Sequence, residues 1–336
     1  MLHLPHHQIW DAITPQLSPV LVAPRSWQRL TALMSRLPPV FSWGIFECRL
    51  QRDPRVDLLL CVVRERGATP APRPATPAHR HALGAILPFL DAWYDDPRLA
   101  ASPLFWLEHD LVDDEPSPPF VQFCVDPSYP HSAQPPLAPA AVGALAAAGI
   151  ERLLGRAASA AALARLVDAA ERLPRGGRIL HVGVIPHRGS AALRVLGAVP
   201  VGDTLAWLDA VGWPGDRGRA AELLALLGTR FPRASVQLDL GDRVGPALAI
   251  EFPLQAGSGA DPGWQAFMAA IVERGLADPA KAVAALAWIG RQTHDFPGAA
   301  WLVGIGRQLD VKLSLGPDAR CEAKAYLSFN PRYVPL

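Results

Sequence analysis

Five times along this chain an apolar helical period is followed by two alternating runs joined by a turn, and that repetition limits the available folds more than any single motif does. A short helix is expected over Ser26–Arg36, then a hairpin of Phe41–Leu50 and Val56–Arg64 turning at Asp53-Pro54. A helix over His81–Tyr94 leads to the second hairpin, Leu104–Leu111 with Phe120–Asp126. Ala- and Leu-rich helices fill Ala140–Leu173, Gly176-Gly177 stops them, and Arg178–Ile185 pairs with Ala192–Val199 through His187-Arg188-Gly189. Helices at Asp203–Val211 and Arg217–Phe231, split by Gly212-Trp213-Pro214-Gly215, precede a hairpin of Ser235–Leu240 and Ala247–Phe252. Helices at Gly263–Arg274 and Pro279–Ile289 precede the last, Leu309–Leu315 with Cys321–Phe329. The units recur roughly every sixty to seventy residues. Pro-rich stretches at 68–78 and 127–139 read as loops within one domain spanning 1–336.

An antiparallel sheet of ten strands leaves exposed edges unless it curls shut. The expected fold class is therefore α+β: five αα-ββ units forming a closed ten-stranded antiparallel barrel surrounded by helices. The alternative is two domains with separate sheets. Side chains alternate across a strand, so each hairpin sorts into two faces. Val236, Leu238 and Leu240 oppose Ser235, Gln237 and Asp239; Leu180, Val182 and Val184 oppose His181 and Gly183. Val311, Leu313 and Leu315 oppose Asp310, Lys312 and Ser314, and Ala323, Ala325 and Leu327 oppose Glu322, Lys324 and Tyr326. Helices outside the barrel require the apolar faces to point outward, so the polar faces line a lumen wide enough for a ligand. The same sorting puts Trp43, Glu47, Arg49, Trp106, Glu108, Asp110, Gln122, Asp126, Arg194 and Glu251 inside.

Composition excludes several partners. A net charge of +1 lacks the clustered cationic excess that phosphate backbones require, so nucleic acid is not expected. The longest uncharged apolar stretch, Ala138–Ile150, is too short to span a bilayer, and the first thirty residues lack a basic start followed by an apolar run. No membrane partner and a cytoplasmic location are expected. Cys48, Cys61, Cys124 and Cys321 lie far apart in apolar runs and read as reduced core thiols. The ten histidines make no metal spacing, so neither metal nor other cofactor is expected. Three lysines, Lys281, Lys312 and Lys324, stand beside twenty-nine arginines, a bias typical of a GC-rich bacterial genome.

Lys312 and Lys324 share the polar face of the last hairpin and fall opposite or nearly so, where like charges repel unless an anion bridges them. With Arg49, Arg194 and a protonated His181 they gather a cationic set that matches a diphosphate. The alternative is that Lys324 pairs with Glu322 or Glu251 and nothing is bound. Glu108, flanked by aromatics on the inner face, is placed to accept a hydrogen bond from an indole or amide N–H, and burial there raises a carboxyl pKa toward that of a proton acceptor. The acid run Asp113-Asp114-Glu115 reads as a solvated loop.

Five αα-ββ units closing into a ten-stranded barrel with a polar lumen resemble the aromatic prenyltransferases of the ABBA, or PT-barrel, fold. Trp106-Leu107-Glu108 and the strand Val121–Pro127 look like the strand pair of indole prenyltransferases. The resemblance implies that Glu108 holds an indole N–H, while the diphosphate-contacting Arg of that pattern is Gln122 here. Leu180–Pro186 is similar to the family's Lys-x-Tyr strand, with His181 and Gly183 in place of Lys and Tyr. Ser235–Asp239 occupies an Arg-x-Lys-x-Tyr strand and keeps none of its basic residues, putting Asp239 in the lumen. Lys324-Ala325-Tyr326 retains a K-x-Y pair on a different strand. Two functions follow from the resemblance. One is metal-independent transfer from a prenyl diphosphate to an aromatic indole or peptide acceptor, with Lys312, Lys324, Arg49 and Arg194 holding the diphosphate, Trp43, Trp106 and Tyr326 shielding the allylic cation, and Glu108 orienting the acceptor. The other is a barrel that binds a peptide or small metabolite in natural-product biosynthesis without transfer chemistry.

Overall fold

The computed structural model describes residues 6–38, 41–64, 83–111, 119–129, 135–184, 192–226, 231–253, 261–297 and 301–334. Among these, eleven strands form one antiparallel sheet: β1 Trp43–Arg49, β2 Val56–Val63, β3 Leu104–His109, β4 Phe120–Cys124, β5 Arg178–Val184, β6 Leu193–Pro200, β7 Arg233–Leu240, β8 Val244–Pro253, β9 Gly290–His294, β10 Val303–Leu315 and β11 Cys321–Tyr333. The helices are α1 His6–Ile13, α2 Pro24–Met34, α3 Leu87–Asp95, α4 Pro139–Leu154, α5 Ala160–Glu171, α6 Thr204–Ala210, α7 Arg217–Ala225, α8 Pro262–Glu273 and α9 Pro279–Trp288.

Strands β1 to β8 follow one another around the wall, β10 pairs with β8, β11 with β10, and β11 returns to β1, so ten strands close into a barrel. The seam runs from Gly44↔Phe329 to Arg49↔Lys324. Apolar strand faces point outward onto the helices as expected: Phe46, Leu58, Leu60, Phe105, Leu107, Phe123, Val182, Val236, Leu238, Ile250, Val311 and Leu313 belong to one continuous buried cluster with the helical Leu30, Phe89, Trp93, Leu145, Leu166, Trp264 and Phe267. At about 25 cal/mol per Å² of apolar surface removed from water, this sheet-to-helix layer is the main source of stability.

Helix starts follow local chemistry. Asp261-Pro262 and Asp278-Pro279 each place a capping carboxylate before a proline at the first helical position, and Asp278 accepts from the backbone N–H of Ala280 and Lys281. Gly155, at φ +64°, ends α4 in the left-handed region that a Cβ disfavours. Helix α9 is pinned across the closing seam. Lys281 Nζ donates to the Arg49 and Asp53 carbonyls at 2.8 and 2.6 Å, and Trp288 Nε1 to those of Gln308 and Ser328 at 3.1 Å.

Four details depart from expectation. Strand β9 was not expected; it pairs only with the first part of β10, Val303–Arg307, which itself starts six residues before Leu309. Helix α1 was not expected either. In β5 the register shifts between Ile179 and His181, so the simple alternation through Leu180 is broken by a bulge. Helix α2 begins and ends two residues before its apolar period, and α3 and α7 are shorter than theirs. The Pro-rich stretch 68–78, the acid run 113–115 and the turn 187–189 lie outside the described residues, and 127–139 is described only at 127–129 and 135–139.

Helix α4 approaches the sheet through Gly149, where an added Cβ would lie 2.3 Å from the Phe123 ring. Overpacking outweighs the small gain in helix propensity there. Gly149→Val is expected to destabilise the protein by about 1–3 kcal/mol, read as a lower urea midpoint at unchanged slope.

Candidate functional site in the barrel lumen

The lumen has an apolar region and a charged one. The first is a cluster of Ile45, Leu59, Cys61, Leu104, Trp106, Cys124 and Tyr326, with Trp43, Val63 and Tyr129 packed against it. Trp43 and Trp106 lie one strand apart on either side of Cys61, and their rings are 5.3 Å from each other. Cys61 and Cys124 are free thiols inside the barrel, while Cys48 joins the outer core.

The charged region surrounds a cavity of about 210 Å³, lined by Glu47, Glu108, Arg194, Gln237, Asp239, Lys312, Glu322 and Lys324 among others. Lys312 and Lys324 are directly opposite in register, as expected for inward residues of one hairpin. No anion is needed to keep them apart. Lys324 Nζ donates to Glu47 Oε1 at 2.7 Å and lies 3.5 Å from Glu322. Lys312 Nζ lies 3.1 Å from Glu251 Oε1, and donates to Gln237 Oε1 at 2.8 Å and to the Tyr326 hydroxyl at 3.0 Å. Of the two pairings anticipated for Lys324, Glu322 is observed, whereas Glu251 serves Lys312.

The remaining cations are engaged in the same way. Arg194 forms a two-point pair with Asp239 at 2.9 and 3.1 Å. Arg49 contacts Asp57 closely, with Glu47 at 3.4 Å and Glu322 at 3.7 Å, and does not line the cavity. His181 is not the cation expected of it. Burial pushes its pKa down to about 4 against the pull of Asp126, so the ring is neutral at pH 7, edge-on to Tyr129. Gln122, between Trp106 and Gly183 in register, also lies away from the cavity lining.

Two carboxylates in this lumen behave oppositely. Burial alone would raise Glu47, but Lys324, Lys312 and Arg49 together hold it well below the usual carboxylate range. Glu108 lines the same cavity with no hydrogen bond or ion pair among the described residues; burial and then the Glu47 charge push it up to about 7. It is one inward step along β3 from Trp106, so it stands where the aromatic cluster meets the charged cavity.

The geometry thus brings together Glu108, Arg194, Asp239, Lys312 and Lys324, sets Trp43, Trp106 and Tyr326 beside them, and leaves Arg49, Gln122 and His181 outside the cavity. Parity had placed Glu47 inside without giving it a role, and Glu251 inside as a partner for Lys324 rather than for Lys312. Asp57, whose alternation within β2 was a readable signal, and Tyr129, in the turn after β4 where no period operates, were missed.

No family model matches the chain, and no curated protein matches it. Solved structures do. The chain is similar to a protein described as AnaPT from Neosartorya fischeri, with 14% identity over 96% of this chain and 91% of that one at a TM-score of 0.58. It is also similar to a 6-dimethylallyl tryptophan synthase, with 15% identity over 95% of this chain and 96% of that one at a TM-score of 0.53. The likeness runs through the whole barrel, and the chain has the ABBA, or PT-barrel, fold.

Proposed function

We propose that this protein binds an aromatic small molecule or aromatic peptide group in its lumen, with Trp106 and its neighbours flanking the ring and Glu108 accepting a proton or hydrogen bond from it. The observation that carries the reading is that Glu108 makes no hydrogen bond or ion pair among the described residues. A cavity-lining carboxylate without such a partner is costly, whereas Glu47, Asp239 and Glu322 beside it are each paired with a cation. Such unmet groups are where a fold gives up stability for binding.

Transfer from a prenyl diphosphate is the second reading, favoured by the facing pair Lys312 and Lys324 and by the fold itself. Charge decides the order of the two. Lys312 and Lys324 are already held by Glu251 and Glu47, and removing one partner of a buried pair typically costs about 3–5 kcal/mol. A diphosphate would have to displace both carboxylates and settle among them. The bacterial biosynthetic setting and the cytoplasmic location belong to this proposal as well; no helix among the described residues is long and apolar enough to cross a membrane.

Calorimetry with dimethylallyl and geranyl diphosphate is expected to give no heat up to about 1 mM. Micromolar binding that disappears in Lys312→Ala/Lys324→Ala would establish the transferase reading instead.

The two carboxylates predict stability changes of opposite sign. Between the ordinary carboxyl value and about 7, the folded protein keeps on Glu108 a proton that the unfolded chain has released. Stability therefore falls as pH rises through that window and stays reduced above it. Glu108→Gln is expected to raise stability at pH 8 by about 1–3 kcal/mol and to leave it nearly unchanged at pH 4. Glu47, held low, contributes stability above its unfolded value that is lost on acidification. Glu47→Gln is expected to cost about 3–5 kcal/mol at pH 7, since Lys324 and Arg49 lose their shared partner. Thermal unfolding of the variants across pH 4 to 8 checks both signs.

A further inference from the structure

The cavity is lined by four carboxylates, Glu47, Glu108, Asp239 and Glu322, against three cations, Arg194, Lys312 and Lys324. The cations are distributed without remainder. Arg194 is matched to Asp239, Lys324 to Glu47 and Glu322, and Lys312 reaches past the lining to Glu251. With Glu251 counted, five carboxylates share three cations, so the balance is negative, and Glu108 is the cavity-lining carboxylate that makes no hydrogen bond or ion pair among the described residues.

From this balance we infer that the lumen selects a small aromatic amine that carries a positive charge at neutral pH, its ammonium group paired with Glu108 and its ring beside Trp106. The inference rests on the aromatic-binding reading above and names the charge of the ligand. A neutral N–H donor satisfies one lone pair of Glu108 but brings no counter-charge. A ligand carboxylate or phosphate adds to the surplus and must compete with Asp239, Glu47 or Glu251 for its cations. A monocation supplies Glu108 with a counter-ion, and its charge-assisted hydrogen bond to the ionised carboxylate is stronger than a neutral one. The cavity of about 210 Å³ restricts the charged portion to a small group, and the adjoining Trp43, Trp106 and Tyr326 supply apolar surface for a ring.

Three probes that share one ring and differ in charge test this: tryptamine, 3-methylindole and indole-3-propionate, titrated at pH 7.5 against the full chain and against Glu108→Gln. Tryptamine is expected to bind about tenfold or more tighter than 3-methylindole, with the propionate weakest, and Glu108→Gln is expected to reduce the ratio of tryptamine to 3-methylindole affinity to about one. Equal affinities, or a preference for the propionate, would overturn the inference and leave aromatic binding intact. An amine preference that survives in Glu108→Gln removes Glu108 as its cause and overturns the assignment. If none of the three binds, the aromatic-binding reading itself fails and takes this one with it. The variant's thermal midpoint, expected at or above that of the parent, confirms that any loss of binding is not a loss of fold.

Discussion

The pairing of the first strand with the last, β1 with β11, is the contact on which the rest of this structure depends. It converts the polar faces of ten strands from a solvent surface into an interior wall. It also brings Glu47 to Lys324 across 277 residues of chain, an encounter that no local rule provides. Helix α9 holds this seam from outside, with Lys281 gripping the carbonyls of the β1–β2 corner and Trp288 those of β10 and β11.

Enclosing charge has consequences of its own. Carboxylates and cations facing a lumen lose much of their hydration, and in such surroundings each must find a counter-charge or shift its protonation. Glu47 takes the first course, surrounded by Lys324, Lys312 and Arg49. Glu108 takes the second, as does His181, which stays neutral against Tyr129. The two carboxylates differ in neighbours rather than in chemistry, and that difference separates a structural ion from one available to a ligand.

The outward apolar faces, the hairpins and most helices were legible in the sequence because each is written in a short period that solvent exclusion enforces locally. Strand β9 was not: Gly290-Arg291-Gln292-Thr293-His294 has no apolar alternation, and only pairing with β10 makes it a strand. The membership of the lumen was readable for the same reason the hairpins were. Of the partnerships inside it, Lys324 with Glu322 on the same strand was readable, and those between hairpins were not, because they depend on how strands are staggered around the closed wall. Lys312 and Lys324 were correctly placed opposite each other, yet Glu251 and Glu47, which also pair with them, come from β8 and β1. Of the cations gathered from the sequence for a diphosphate, His181 is the one whose charge burial removes.

The barrel divides its labour between the two sides of one sheet. Packing against the helices is carried by outward residues, and inward ones contribute little to it. The inside of such a barrel can consequently differ almost completely from one protein to another, provided each buried ion keeps a counter-ion, while the shell is restricted to side chains of similar bulk. One architecture at 14% identity is compatible with that freedom, and the inner wall rather than the shape then decides what such a barrel can hold.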